Sequence, residues 1–317
     1  MPALQHTSSD LPAFPAPART SARLAAGGRV LSALLRRLRP ADTAGDRDRR
    51  TPRLRVLLVE DDAVSRTLTT TLLEQAGHRV TVAGNGREAI RRAGEGGLDV
   101  VLMDLRLPGQ SGMAATRRIR ALPDPAAASV PVVALSGSLS RDQRDECRAA
   151  GMDLHLPKPV TAEALSHVLA QAIRLLPDRF RQPAGGGTAA ESGATGSEAA
   201  VPVLDRTTLD GHLQVLGPGR MAHIIDSFLR AAPETLAAAR AGAESGDWET
   251  VSRAVHKLAS GAGTVGLSQL AALARAAEQA ADRGDPAAAQ AGFDAVLHAY
   301  GRALPLMQVY RAGLPSS

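Results

Sequence analysis

"LRVLLVEDDAVSRTLTTTLLEQAG", residues 54–77, sets the pattern for the first half of the chain. A short apolar run from Leu54 to Val59 ends in three acids, Glu60, Asp61 and Asp62. A stretch of helical period then follows from Val64 to Ala76. An apolar run of that length before a turn signal is a buried strand, and the change of period after it marks a strand-to-helix unit. Acids at the end of such a strand sit at the mouth of the sheet.

The unit recurs. "HRVTVAG" (78–84) and "GREAIRRA" (86–93) form a second strand and helix, and "DVVLMD" (99–104) with "SGMAATRRIRAL" (111–122) a third pair. "VPVVALSG" (130–137) precedes the helical "SRDQRDECRAAG" (140–151), and "MDLHL" (152–156) precedes "TAEALSHVLAQAIRLL" (161–176). Five βα units with short loops predict an α/β doubly wound five-stranded parallel sheet over residues 54–176. Its ligand site belongs outside the carboxyl ends of the strands.

Beyond it, residues 177–202 are rich in Gly, Ala and Ser and read as a flexible linker. Residues 203–312 carry no strand signal. Trp248, Val251, Val255, Leu258, Ala262 and Val265 make one apolar stripe, and similar stripes run through Ile224–Phe228–Leu236, Leu267–Leu270–Leu273 and Phe293–Val296–Tyr300–Leu304. An all-α helical bundle of four helices is expected there.

Length, composition and charge set limits. The 317 residues accommodate two domains, and an aromatic content of 2% within 44% apolar residues favours helices. Cys147 is the single cysteine, which excludes an internal disulfide and points to a reducing cytoplasm. Ten arginines against four aspartates make residues 1–54 strongly basic. The net charge of +5 therefore describes this leader (1–53), not the folded parts. Its segment 29–39 alternates leucine and arginine as an amphipathic helix suited to a membrane surface or a partner. No aromatic residues interleave with the arginines, so nucleic acid is not the expected partner.

The chemistry gathers at the strand ends. Strand one ends at Glu60 and Asp61 and strand three at Asp104, and these ends are neighbours in a parallel sheet. Three carboxylates so close require a hard cation, and oxygen ligands favour Mg²⁺. Strand four delivers a hydroxyl, Ser136, and strand five an ammonium, Lys158. Together they describe a phosphoryl-transfer centre. Lys158 is one of two lysines against 35 arginines. Its retention makes sense where a compact ammonium fits and a planar guanidinium does not.

"LLVEDD", "LMDLRLPGQSG", "VVALSG" and "LPKP" resemble the response-regulator receiver domain of two-component systems, with its flavodoxin-like fold. The resemblance implies that Asp104 accepts the phosphoryl group and that Asp61 binds Mg²⁺ directly. Glu60 would assist through water, and the Arg106 carbonyl would complete the protein ligands. Asp62 falls outside the ligand set. The switch position, often aromatic in the family, falls on His155, and the bond between Lys158 and Pro159 is usually cis.

The second lysine, Lys257, lies in "VHKLASGAGTVGL" (255–267), which resembles the histidine phosphotransfer (Hpt) motif around His256. At about 100° per residue, His256 points away from the apolar stripe. The predicted surroundings are an exposed face with Ser252, Arg253, Ala259, Ser260 and Gly263, small enough to admit a partner. The family's usual lysine and glycine, three and four residues after the histidine, are Ala259 and Ser260 here. Arg253, one turn earlier, is the expected substitute cation, and Lys257 is left for partner docking.

Receiver and Hpt together resemble the C-terminal half of a hybrid sensor histidine kinase. The expectation is a cytoplasmic phosphorelay intermediate, without a kinase ATP-binding domain. A histidine kinase would load Asp104, His256 would exchange the group, and a downstream response regulator would collect it. The competing expectation is a docking protein with a transfer-inactive bundle. A linker of about 25 residues spans roughly 25–30 Å, so the two domains of one chain can meet.

Overall fold

The computed structural model describes residues 52–137, 140–176 and 201–314. The basic leader with its expected helix at 29–39, and the linker as far as residue 200, lie outside the described residues.

Five parallel strands, β1 (Arg55–Val59), β2 (Arg79–Ala83), β3 (Val100–Asp104), β4 (Val132–Ser136) and β5 (Leu154–Pro157), are ordered β2-β1-β3-β4-β5. They alternate with α1 (Ala63–Gln75), α2 (Gly86–Gly94), α3 (Gly112–Arg120), α4 (Pro125–Ala128), α5 (Arg141–Ala149) and α6 (Ala162–Arg174). The single turn α4 was not expected. Pro125 and the cap Asp124 start it. The period-2 alternation of each strand serves both faces. Val56, Leu58, Val100, Leu102 and Leu135 enter one core with residues of α1 and α6. Leu57, Val59, Val101, Met103 and Ala134 enter the other with residues of α2 and α3.

Caps place the helices immediately beyond the strand ends. Side chains of Asp62, Asn85, Ser111, Ser140 and Thr161 each accept an amide of the helix that follows, relieving its unpaired first turn. Asp62 is therefore a cap, in line with its exclusion from the ligand set. Gly112 opens α3 against the backbone of Asp104. A Cβ there would lie 2.0 Å from the Asp104 carbonyl oxygen, so only glycine lets the helix approach the end of β3.

The second half contains α7 (Arg206–Leu216) and four long helices, α8 (Pro218–Ser245), α9 (Trp248–Thr264), α10 (Ser268–Asp282) and α11 (Pro286–Ala312). The stripe on α9 is buried as predicted, through Val251, Val255, Leu258, Ala262 and Val265. On α11 the buried line runs through Phe293, Val296, Ala299, Ala303 and Met307, with Leu304 beside it and half-buried.

The two halves form one compact unit. Helix α1 packs against α7, α8 and α9, and one continuous apolar core holds Val64, Leu68 and Leu169 together with Phe228, Leu258 and Ala262. This contact turns the carboxyl edge of the sheet toward α9 and α10.

Candidate functional site

Glu60, Asp61 and Asp104 converge as the sequence implied, with one oxygen of each within 4.8 Å of the others. Lys158 Nζ reaches both buried acids, at 2.6 Å from Asp104 Oδ2 and 2.6 Å from Glu60 Oε2. It is placed by its own amide, which donates to the Ser136 carbonyl at 2.7 Å. The Lys158–Pro159 bond is cis.

Burial opposes ionisation of Asp104, but Lys158 and His256 outweigh it and hold the carboxyl well below the usual range. For Glu60 burial wins and raises the carboxyl well above its usual value, despite Lys158. No donor meets hydrogen-bond geometry at Glu60 Oε2, and Lys158 touches it only as an ion-pair contact. Three carboxylates converging on one point with oxygen ligands only fit a small divalent cation.

Ser136 Oγ and His155 Nε2 are 2.8 Å apart, so the switch candidate already faces the hydroxyl at the end of β4. Burial and the nearby Arg144 hold the His155 imidazole below its usual value. The Arg106 amide donates to Asp104 Oδ1 at 3.0 Å. Its side chain leaves the acid cluster altogether and crosses to the helical half.

That crossing overturns the predicted surroundings of His256. The imidazole is not exposed: its side chain retains 14% exposure, because the receiver half covers it. Ser252, Ala259, Ser260 and Gly263, expected as an open face, are buried as well. His256 Nε2 stands 3.9 Å from Asp104 Oδ2 and makes no hydrogen bond. On the other side of the ring Nδ1–H donates to Glu278 Oε1 at 2.9 Å, which fixes the tautomer and turns Nε2 toward Asp104. Burial works against charge on this imidazole, but Asp104 and Glu278 outweigh it and push its pKa up to about 9.

Arg253 does not reach the imidazole. It turns toward the start of α9, as helical side chains do, and donates to Thr250 Oγ1 at 3.0 Å. Lys257 is the cation that reaches the site, with Nζ 3.0 Å from Asp61 Oδ2. The step of about 100° that separates Lys257 from His256 on the helix spans the distance between two acids of the receiver.

Other groups at this seam had no local signature. Arg106 Nε lies 2.5 Å from Glu278 Oε1, and its guanidinium also pairs with Asp282 and donates to Ser252 Oγ at 3.2 Å. Ser65 and Thr264 hydroxyls meet at 3.3 Å, and buried His212 Nε2–H donates to the Val160 carbonyl at 3.3 Å, just beyond Lys158 and Pro159. Glu278 alone offered a hint, as the acid within "LAALARAAEQAA" on a helix otherwise lined with alanine.

A five-stranded parallel sheet with this acid–lysine cluster at its carboxyl edge, docked on a helical bundle that presents a histidine, defines a pair of two-component signalling modules. The chain carries a response regulator receiver domain over residues 56–170 and an Hpt domain over 223–305. It is similar to the sensory/regulatory protein RpfC of Xanthomonas campestris pv. campestris, 30% identical over 69% of this chain and 29% of that one. It is also similar to sensor histidine kinase AruS of Pseudomonas aeruginosa, 29% identical over 69% of this chain and 20% of that one. The chain thus spans less than a third of the length of these relatives. Among solved structures, the receiver domain of sensor histidine kinase PA1611 from Pseudomonas aeruginosa PAO1, with magnesium in its active site cleft, is 37% identical. That match covers 38% of this chain and 96% of that one, with a TM-score of 0.35. Neither matched domain is a kinase catalytic domain, and no described helix is long and apolar enough to cross a membrane.

Proposed function

We propose that Asp104 and His256 exchange a phosphoryl group within one chain, as an internal step of a phosphorelay. The carrying observation is the 3.9 Å approach of His256 Nε2 to Asp104 Oδ2 in a docked pair of domains. The receiver is taken as residues 54–176 and the Hpt domain as 203–312.

Each residue has a role in that reading. Asp104 holds the group as an acyl phosphate. His256 releases its Nε2 proton to solvent once Asp104 carries the phosphoryl group, keeps its Nδ1–H on Glu278, and directs the Nε2 lone pair at phosphorus. The N–P bond forms as the Asp104 O–P bond breaks, Asp104 departs as a carboxylate beside Lys158, and Nδ1 keeps its proton. Net charge is conserved through the step, and the same groups serve the reverse transfer. Ser136 and His155 sense the phosphoryl oxygens. Glu60, Asp61, Asp104 and the Arg106 carbonyl would hold Mg²⁺, which when bound neutralises charge on those oxygens. A histidine kinase would supply the group and a downstream response regulator would collect it.

Treating the full chain with acetyl phosphate and Mg²⁺ should label Asp104 and then His256, read by mass spectrometry as a base-labile phosphate on Asp104 and an acid-labile, base-stable one on His256. Label on Asp104 that never reaches His256 would favour the docking-protein alternative. Lys158→Arg preserves charge but widens the head group that must touch both acids. We expect it to take up label at Asp104 yet to lose most transfer in a quench-flow assay; transfer equal to the parent would show that compactness of the ammonium is irrelevant.

A further inference from the structure

Arg275, on α10, enters the receiver at the end of β4. Its Nε would lie 2.6 Å from a Cβ at Gly137 and its Cδ 3.2 Å away, so the arginine occupies the space that any side chain at 137 would take. Gly137 directly follows Ser136, the hydroxyl of the acid–lysine site. On the opposite side the guanidinium Nη2 is 3.5 Å from a Cβ position at Gly263, two turns beyond His256 on α9. Pro159 Cδ, next to Lys158, is 3.8 Å from that same position. The arginine is therefore flanked by Gly137 of the receiver and Gly263 of α9, with Pro159 of the receiver against the same glycine of α9.

Among the described residues no hydrogen bond or ion pair engages Arg275. Burial lowers its pKa, with only the more distant charge of Glu278 opposing. A partly buried guanidinium costs free energy unless an anion or several acceptors meet it. Asp104 and Glu60 are already answered by Lys158, and Asp61 by Lys257. The position expected to carry the Hpt cation is Ala259, and Arg253 has turned away.

We propose that Arg275 is a cation lent by the Hpt domain to the receiver's phosphoryl pocket. Its guanidinium binds the oxygens of the group passing between Asp104 and His256. This rests on the exchange proposed above. Arginine suits the role because its planar fork meets two phosphoryl oxygens at once. It comes from the histidine's side of the seam, so the charge is delivered only when the domains are docked.

The test separates the cation from the transfer. Beryllofluoride with Mg²⁺ mimics a phosphoryl group on an aspartate and needs no histidine. Its affinity for the full chain is measured by ¹⁹F NMR titration. Arg275→Gln, of similar size but uncharged, should weaken binding about tenfold, as loss of one charge-assisted hydrogen bond does. Arg275→Lys should recover most of it. Gly137→Ala, which displaces the guanidinium without altering its charge, should weaken binding likewise. Affinity unchanged in Arg275→Gln, or equally weak in Arg275→Gln and Arg275→Lys, would overturn the assignment. If the parent chain shows Arg275-dependent beryllofluoride binding but never labels His256, the exchange fails and the anion site stands.

Discussion

Replacing His256 with glutamine is expected to leave acyl phosphate formation on Asp104 intact while abolishing its onward passage. Acceptance at Asp104 uses groups of the receiver alone: the three acids, Ser136 and Lys158. Passage needs a lone pair at the place of His256 Nε2, and the neighbours of that atom offer none. Glu278 is engaged by Nδ1–H and by Arg106, and Lys257 is held at Asp61. A glutamine amide keeps polarity and bulk but has no nucleophilic nitrogen, so the loss is complete rather than partial. The measurement is the time course of acid-labile and base-labile label after acetyl phosphate. Acid-labile, base-stable label persisting in the variant would assign the acceptor elsewhere.

The second large effect is expected from Arg106→Glu. Arg106 joins Glu278 and Asp282 across the domain seam, so the substitution sets three acids together where one guanidinium held two. Like charges at close range cost several kcal/mol, and each 1.4 kcal/mol is tenfold in the docked fraction. Against a tether worth roughly millimolar effective concentration, that shift outweighs what the linker restores. Transfer should fall at least about tenfold, with beryllofluoride binding less affected because only Arg275 withdraws. Adding Asp282→Arg to Arg106→Glu re-forms one pair with reversed polarity and should recover part of the rate. Partial exposure of Arg106 and Asp282 lets water and salt screen the pair, so the defect should grow as ionic strength falls. Transfer at the parent rate in the single variant would show that this clasp does not hold the docked state.

The receiver was legible because its chemistry is local. Each strand announces itself by a short apolar run, and Glu60, Asp61, Asp104 and Ser136 stand at the ends of such runs. Lys158 stood out as a lysine kept among arginines, and its contacts with Asp104 and Glu60 explain why. The helical half was legible as helices for the same reason of period. The surroundings of His256 were not, since periodicity tells which face of α9 meets its own bundle and nothing of what covers the other face. Arg106 and Ser252 are 146 residues apart and Ser65 and Thr264 are 199 apart. No spacing rule connects such pairs; only the docking of α1 on α9 does. Lys257 is the instructive case. On the helix it looked displaced from the histidine, and that displacement is what brings it to Asp61 while His256 meets Asp104.

The central claim is that Asp104 and His256 of one chain are partners. Single-turnover transfer, started by a pulse of acetyl phosphate and followed by quench-flow, tests it when repeated over a wide dilution series of the protein. Docked domains of one chain predict a first-order rate that stays constant on dilution. They also predict that a mixture of Asp104→Asn and His256→Gln chains transfers far more slowly than the parent. A rate that falls in proportion to protein concentration, matched by that mixture, would contradict exchange within the chain.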